Sequence, residues 1–169
     1  SKARRWLYRE PEAAHQCLDK LTDTIIAYLK FKIQAGAQVV QVFDSWAGIP
    51  WPEHYRNFSL PYLKKIAKAI TEVPVILFAK DAWFALDEVA AIPDTATGLD
   101  WHVDAATFRQ KVGPGKVLQG NLDPCCLYDT PENIRAQAHN MLSQFGGSHI
   151  VNLGHGVYPD TPLEGVKAF

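Results

Sequence analysis

Five times in this 169-residue chain a short run of β-branched and apolar residues follows a stretch of helical period, then breaks into polar, aromatic or turn-forming residues. Such runs read as strands buried on both faces, the kind found in parallel sheets. Their endings are Asp44-Ser45-Trp46, Lys80-Asp81-Ala82-Trp83, Asp100-Trp101, Asn121-Leu122-Asp123-Pro124 and Gly154-His155-Gly156. Helix alternating with strand implies parallel neighbours joined by right-handed crossovers. An open doubly wound sheet places functional groups beside its switch point, whereas a closed barrel gathers every strand's carboxyl end at one mouth. Five functional endings favour the barrel. A (β/α)8 barrel usually needs about 250 residues, so the expectation is an α/β chain that forms part of one. Residues 1–169 would then belong to a single barrel domain with no internal boundary.

The helices are expected from their caps and periods. Pro11 to about Gln34 carries Leu18, Leu21, Ile25, Leu29 and Ile33 as its inward stripe, with Cys17 on the apolar face and Gly36 as its stop. A strand over 38–44 and a polar loop over 49–57 follow, then a helix from about Ser59 to Ile70 with Ser59 as cap. A strand over 74–79 leads to a helix near Trp83 to Ala91, and a short strand Thr97–Leu99 leads to a helix from about Asp104 to Val112. A strand over 117–120, a helix from Thr130-Pro131 to Phe145 and a strand over 149–153 complete the alternation. Pro162 to Phe169 reads as the opening of another helix.

Composition excludes several function classes. Hydrophobic residues at 47% and charged residues at 21% describe a globular protein rather than a disordered one. A formal charge of −1 argues against a nucleic-acid partner. No apolar stretch is long enough to cross a bilayer, and Ser1 to Glu10 has no signal-peptide core, so the expected location is the cytoplasm or a plastid stroma. The three cysteines, Cys17, Cys125 and Cys126, lack the spacing of a zinc site.

Among the strand endings, Ser45 and His155 are the leading candidates for chemistry, since Gly154 and Gly156 leave room for a ligand at the imidazole. A serine-hydrolase reading is disfavoured because Phe43-Asp44-Ser45-Trp46-Ala47 is not the Gly-x-Ser-x-Gly elbow. Asp100 and Asp123 could be acids or bases but read first as loop braces, and Lys80-Asp81 reads as a rim ion pair. Trp46, Trp51, Trp83 and Trp101 could together wall a large flat ligand. His15, His54, His102, His139 and His149 have no metal spacing and read as surface or local contacts.

Taken in order, Phe-Asp-Ser-Trp-Ala-Gly (43–48), Gly-Leu-Asp-Trp (98–101), Leu-Gln-Gly-Asn-Leu-Asp-Pro (118–124) and Asn-Leu-Gly-His-Gly (152–156) resemble the carboxyl-terminal half of uroporphyrinogen decarboxylases. Ala-Gly-Ala-Gln (35–38) and Phe-Ala-Lys-Asp (78–81) extend the resemblance over nearly the whole chain. It implies a (β/α)8 barrel, homodimeric when full-length, of which this chain supplies about the last five strands. It also implies removal of CO2 from the four acetate groups of uroporphyrinogen III to give coproporphyrinogen III, in tetrapyrrole synthesis and without metal or organic cofactor. By the same resemblance Ser45 and His155 contact the tetrapyrrole's carboxylates and Phe43 lines the cleft wall. The family's arginine-rich segment, its aspartate facing the pyrrole N–H groups and a tyrosine have no match here, so the isolated chain is expected to be inactive. The alternatives are the zinc-dependent methyltransferases that share the barrel, acting on cobamides, and a non-enzymatic half-barrel module. The methyltransferases need a His-x-Cys pair where this chain has Phe78-Ala79-Lys80-Asp81.

Overall fold

The structure is a computed structural model that describes residues 2–169. The chain divides into two compact units, one ending at Thr95 and the other running from Ala96 to Phe169.

The first unit contains α1 (Lys2–Arg9), α2 (Pro11–Gln34), β1 (Val40–Asp44), α3 (Pro52–Phe58), α4 (Leu60–Ala69), β2 (Val75–Ala79), a 3-10 turn at Trp83–Ala85 and α5 (Leu86–Ala90). Pro11 opens α2, where a missing N–H costs nothing. Its other end is a Schellman close: the Gly36 N–H donates to the Ile33 carbonyl and the Ala37 N–H to that of Lys32, with Gly36 at φ +105°. β1 and β2 pair in parallel, from Val40 opposite Val75 to Asp44 opposite Ala79. β2 is buried along its whole length, and α4 turns Leu60, Leu63 and Ile66 inward onto the same core. Each large apolar side chain so buried contributes about 1.5–3 kcal/mol.

Three expectations are corrected here. The buried stripe of α2 is Ala14, Thr22 and Leu29 with Ile26 and Ile33 beside them, while Cys17, Leu21 and Ile25 are exposed. Leu29 and Ile33 face the core as expected and Leu18 is half-buried, but apolar residues surround much of this helix, and packing against its neighbours turned Ala14, Thr22 and Ile26 inward in place of Leu21 and Ile25. The expected polar loop over 49–57 contains α3, because Pro52 and Glu53 make a good first turn and Tyr55 and Phe58 bury one side of it. Ser59 does not cap α4 with its side chain. It joins α3 to α4 through its backbone, its N–H donating to the Tyr55 carbonyl while its own carbonyl accepts from Tyr62 and Leu63.

The second unit contains β3 (Thr95–Gly98, beginning one residue before the division), α6 (Ala105–Val112), β4 (Leu118–Leu122), a 3-10 turn at Pro124–Tyr128, α7 (Pro131–Phe145), β5 (His149–Leu153) and α8 (Leu163–Ala168). β4 pairs in parallel with β3 on one side and with β5 on the other, Leu118 lying opposite both Thr97 and His149. Asp104 caps α6 by accepting the Thr107 N–H at 2.7 Å, and Thr130 caps α7 through Asn133 at 3.3 Å. Arg109 fastens this unit. Its guanidinium donates to the carbonyls of Gly113, Lys116, Phe145, Gly147 and Ser148 at 2.6–3.1 Å, tying the ends of α6 and α7 to the entries of β4 and β5. Parallel strands separated by helices make each unit α/β, as the alternation required.

Candidate functional site

In the first unit β1 delivers Phe43, Asp44 and Ser45. Phe43 leaves 65% of its surface exposed and meets Phe78 edge to face, with ring centres 6.0 Å apart. Ser45 stands exposed just past the strand. The turn it occupies is tied to the end of β2: the Lys80 N–H donates to the Asp44 carbonyl at 3.0 Å and the Gly48 N–H to the Lys80 carbonyl at 2.9 Å. Burial pushes the Asp44 carboxyl above the ordinary carboxylate value, and a hydrogen bond from the Trp46 N–H partly opposes this. Lys80 and Asp81 form the rim ion pair the sequence suggested, Nζ to Oδ2 at 2.5 Å. Trp46, Trp51 and Trp83 are all largely exposed.

Beneath this turn lies a group that sequence reasoning missed. Tyr55 is fully buried, and its hydroxyl has no hydrogen-bond partner among the described residues. Desolvation pushes its phenol far above the ordinary value, and the negative charges of Asp44 and Glu88 add to the shift. The signal in the sequence was the Pro52-Glu53 helix start, which sets Tyr55 three residues into α3 and so on its inner face.

In the second unit Asp100 is only 4% exposed and accepts the His102 N–H at 3.0 Å, so it braces its own loop. Asn121 reinforces that loop by donating to the carbonyls of Asp100 and Val103, both at 2.8 Å. Asp123 is likewise a brace, accepting the Cys125 N–H at the start of the 3-10 turn. His155 follows β5 with its side chain exposed, its ring edge-to-face with Trp101 at 6.2 Å. Gly154 is held by its N–H to the Leu122 carbonyl at 2.7 Å, and a Cβ there would meet the Trp101 nitrogen at 2.5 Å. Gly156 has nothing within 4 Å of an added Cβ. The two glycines flanking His155 therefore differ: Gly154 permits close packing of two backbones, and Gly156 lies in open space. His149, read from sequence as a surface or local contact, is partly buried, stacked on Phe145 at 3.7 Å with Nε2 on the Gly120 carbonyl at 2.6 Å.

Phe43 and Ser45 thus share the carboxyl end of β1, and His155 stands just beyond β5 in the other unit. A hydroxyl and an imidazole can hydrogen-bond to anionic oxygens, and the exposed phenyl ring offers an apolar wall. The end of β2, Phe78-Ala79-Lys80-Asp81, holds no thiol or imidazole. Cys125 is exposed and Cys126 buried in the 3-10 turn after β4. No helix among the described residues is long and apolar enough to cross a membrane.

The comparisons with known proteins extend over the whole chain. A family model described as uroporphyrinogen decarboxylase (URO-D) matches residues 1–169. A uroporphyrinogen decarboxylase of Salinibacter ruber is 47% identical over 172 residues, covering 99% of this chain and 49% of that one. Those of Danio rerio and Homo sapiens are each 45% identical over 179 residues, covering all of this chain and 48% and 49% of theirs. This chain therefore spans about half the length of the curated relatives it matches. Among solved structures, a methyltransferase from Methanosarcina mazei superposes with a TM-score of 0.88 at 25% identity, over 98% of this chain and 50% of that one. The fold is that of a (β/α)8 barrel, of which the described residues carry five strands.

Proposed function

The chain belongs to the uroporphyrinogen decarboxylase family, and from that premise we propose that it works as the carboxyl-terminal half of an enzyme removing CO2 from the acetate groups of uroporphyrinogen III. The observation that carries this reading is identity of 45–47% to curated decarboxylases across the whole chain. Protonation of a pyrrole carbon turns the ring into an electron sink, so the acetate carboxylate leaves as CO2 and its electron pair forms an exocyclic methylene; protonation of that methylene gives the methyl group, and loss of the proton first added to the ring carbon restores the pyrrole. The protein's part in such chemistry is a shaped cleft with groups that hold carboxylates and stabilise the cationic ring. Ser45 and His155 supply hydrogen bonds to substrate carboxylates, and Phe43 packs against the macrocycle. Residues 1–169 form part of one barrel domain, and the full-length enzyme is a cytoplasmic or stromal homodimer. The methyltransferase likeness lies at lower identity, and the end of β2 lacks the zinc-binding side chains that branch requires.

The test is to express this half joined to an amino-terminal half and follow coproporphyrinogen formation from uroporphyrinogen. The parent should be active. Ser45→Ala and His155→Ala should each lose about 10–100-fold in kcat/KM, the value of a hydrogen bond to a charged group. The 169-residue chain alone should be inactive. An inactive full-length protein, or variants equal to the parent, would overturn the assignment.

A further inference from the structure

Val40, Val75, Leu77 and Ala79 belong to the core that β1 and β2 build with α2 and α4, and Val42 packs against it. Side chains alternate along a strand, so Phe43 on β1 and Ile76 and Phe78 on β2 face the other way, which in a barrel is the interior. The parallel register sets Phe43 opposite Phe78, and their ring centres lie 6.0 Å apart, so the two share that inner face. The ladder continues past Ala79. Lys80 donates its N–H to the Asp44 carbonyl at 3.0 Å. It therefore keeps the alternation: Ala79 turns to the helices, and Lys80 turns to the face that carries Phe78 and Phe43.

The lysine is a different kind of group from its neighbours there. Ser45, one residue past Asp44 on the adjacent strand end, offers a hydroxyl without charge, and Phe43 offers an exposed ring. Lys80 adds a positive charge about two strand residues, or about 6.6 Å, beyond Phe78. Its side chain is 21% exposed, largely covered yet open to solvent, and its ammonium is held by Asp81 Oδ2. Asp81 is itself fixed: its backbone sits at φ +59°, and Gly48 packs so closely on it that an added Cβ would clash with the Asp81 Cβ. An ammonium anchored in this way loses less side-chain freedom on binding a ligand than one sweeping the rim. The pair does not exclude a ligand, since an ammonium carries three N–H donors.

We propose that Lys80 is a further substrate-binding residue, whose ammonium holds a carboxylate of the tetrapyrrole while Phe43 covers the macrocycle beside it. The inference rests on the decarboxylase reading above. The carboxylate it holds is one that the reaction keeps, a propionate retained in coproporphyrinogen III. Decarboxylation discharges the reacting carboxylate as CO2 departs, so an ammonium on that group would favour the ground state over the transition state and slow the step. On a retained carboxylate the contact favours both states equally, which lowers KM and leaves kcat alone. Asp81 is then a positioning residue, acting through the ammonium it holds.

The test uses the full-length protein, with thermal unfolding to show that each variant folds. Coproporphyrin III is the binding probe, because it carries the retained carboxylates and its fluorescence reports binding without turnover. Lys80→Met should weaken coproporphyrin III binding and raise KM for uroporphyrinogen, each about tenfold, with kcat within about twofold of the parent. Lys80→Arg keeps the charge and should recover most of the loss. Asp81→Asn separates binding from a purely structural ion pair. Asparagine tolerates the left-handed backbone at φ +59°, and the substitution breaks the same pair but leaves the ammonium, so binding should not weaken. Equal binding and KM in the parent and Lys80→Met overturn the proposal. Equal weakening by Lys80→Met and Asp81→Asn does so too, as does a fall in kcat at unchanged KM. A parent that binds coproporphyrin III but forms no coproporphyrinogen would instead refute the decarboxylase reading, and the binding comparison would still decide the Lys80 contact.

Discussion

Alanine at position 154 is the sharpest test of how the His155 turn is built. The added Cβ would stand 2.5 Å from the Trp101 nitrogen and 3.1 Å from both the Asp100 carbonyl carbon and Trp101 Cα. Comfortable separation for such atoms is about 3.5 Å, so one backbone must move by roughly 1 Å. Neither can do so freely. Gly154 is anchored to Leu122, Leu99 to the Gln119 carbonyl at 2.8 Å, and the Asp100 carbonyl to Asn121. Overpacking of this kind costs about 1–3 kcal/mol, and alanine recovers about 0.4–1 kcal/mol by restricting the unfolded chain. Because the obstacle is backbone rather than a flexible side chain, the net loss should be about 2 kcal/mol, or about 3 °C in Tm for a protein about twice the length of this chain. Displacing His155 by such a distance should also lower kcat/KM by roughly 100-fold. Gly156→Ala is the internal control, since an added methyl there meets nothing within 4 Å, and it should be within about 0.5 kcal/mol of the parent. Urea and thermal unfolding of the full-length protein, with decarboxylase kinetics, measure both. If Gly154→Ala is no less stable than Gly156→Ala, the packing argument is wrong.

Arg109→Ala removes five bonds to carbonyls at once and should cost about 2–4 kcal/mol in urea unfolding, with Arg109→Lys recovering less than half, since an ammonium cannot span that fork; a loss under about 0.5 kcal/mol would show that the carbonyls rehydrate without penalty. His149 is held below the ordinary histidine value chiefly by burial, with the Arg109 charge acting the same way and the Gly120 carbonyl opposing. The unfolded chain therefore binds more protons than the folded one between that lowered value and about 6.5, so stability should fall as pH drops through this window and level off below it. His149→Gln should flatten that slope, and an unchanged slope would place its origin elsewhere. Tyr55→Phe removes a buried hydroxyl without a partner among the described residues and should leave stability unchanged or raise it by up to about 1 kcal/mol; a clear loss would reveal a bond to that oxygen.

The alternation of helix and strand was legible because short apolar or β-branched runs alternate with helical periods bounded by local signals such as the Gly36 stop and the Thr130-Pro131 start; burial on both faces holds for β2, β3 and β4, whereas β1 is partly and β5 largely exposed. Most strand endings were legible because polar and turn-forming residues follow each run; Asn121, placed at an ending by its polarity, instead lies buried inside β4, where its side chain holds the Asp100 and Val103 carbonyls. Phe43, Ser45 and His155 were found at the ends of β1 and β5, where they were expected. What periodicity could not reveal was which of two apolar faces α2 turns inward, because that choice depends on what α4 and β1 present to it. Leu21 and Ile25 are apolar enough to be core and are left outside. The segment 49–57 reads as a polar loop because little in it is periodic, yet Pro52 also suits the first turn of a helix once a core exists to receive Tyr55 and Phe58.

Residue order alone therefore determined the α/β class, the five strands and the side chains at their carboxyl ends, since these follow from local hydrophobicity and turn chemistry. Only the tertiary structure decided that Gly154 is sterically required and Gly156 is not, that Arg109 ties four elements together, and that the pairing of β1 with β2 sets Lys80 on the face of Phe43. Each of these depends on which distant backbone or side chain comes within a few ångströms, and that proximity is created by folding.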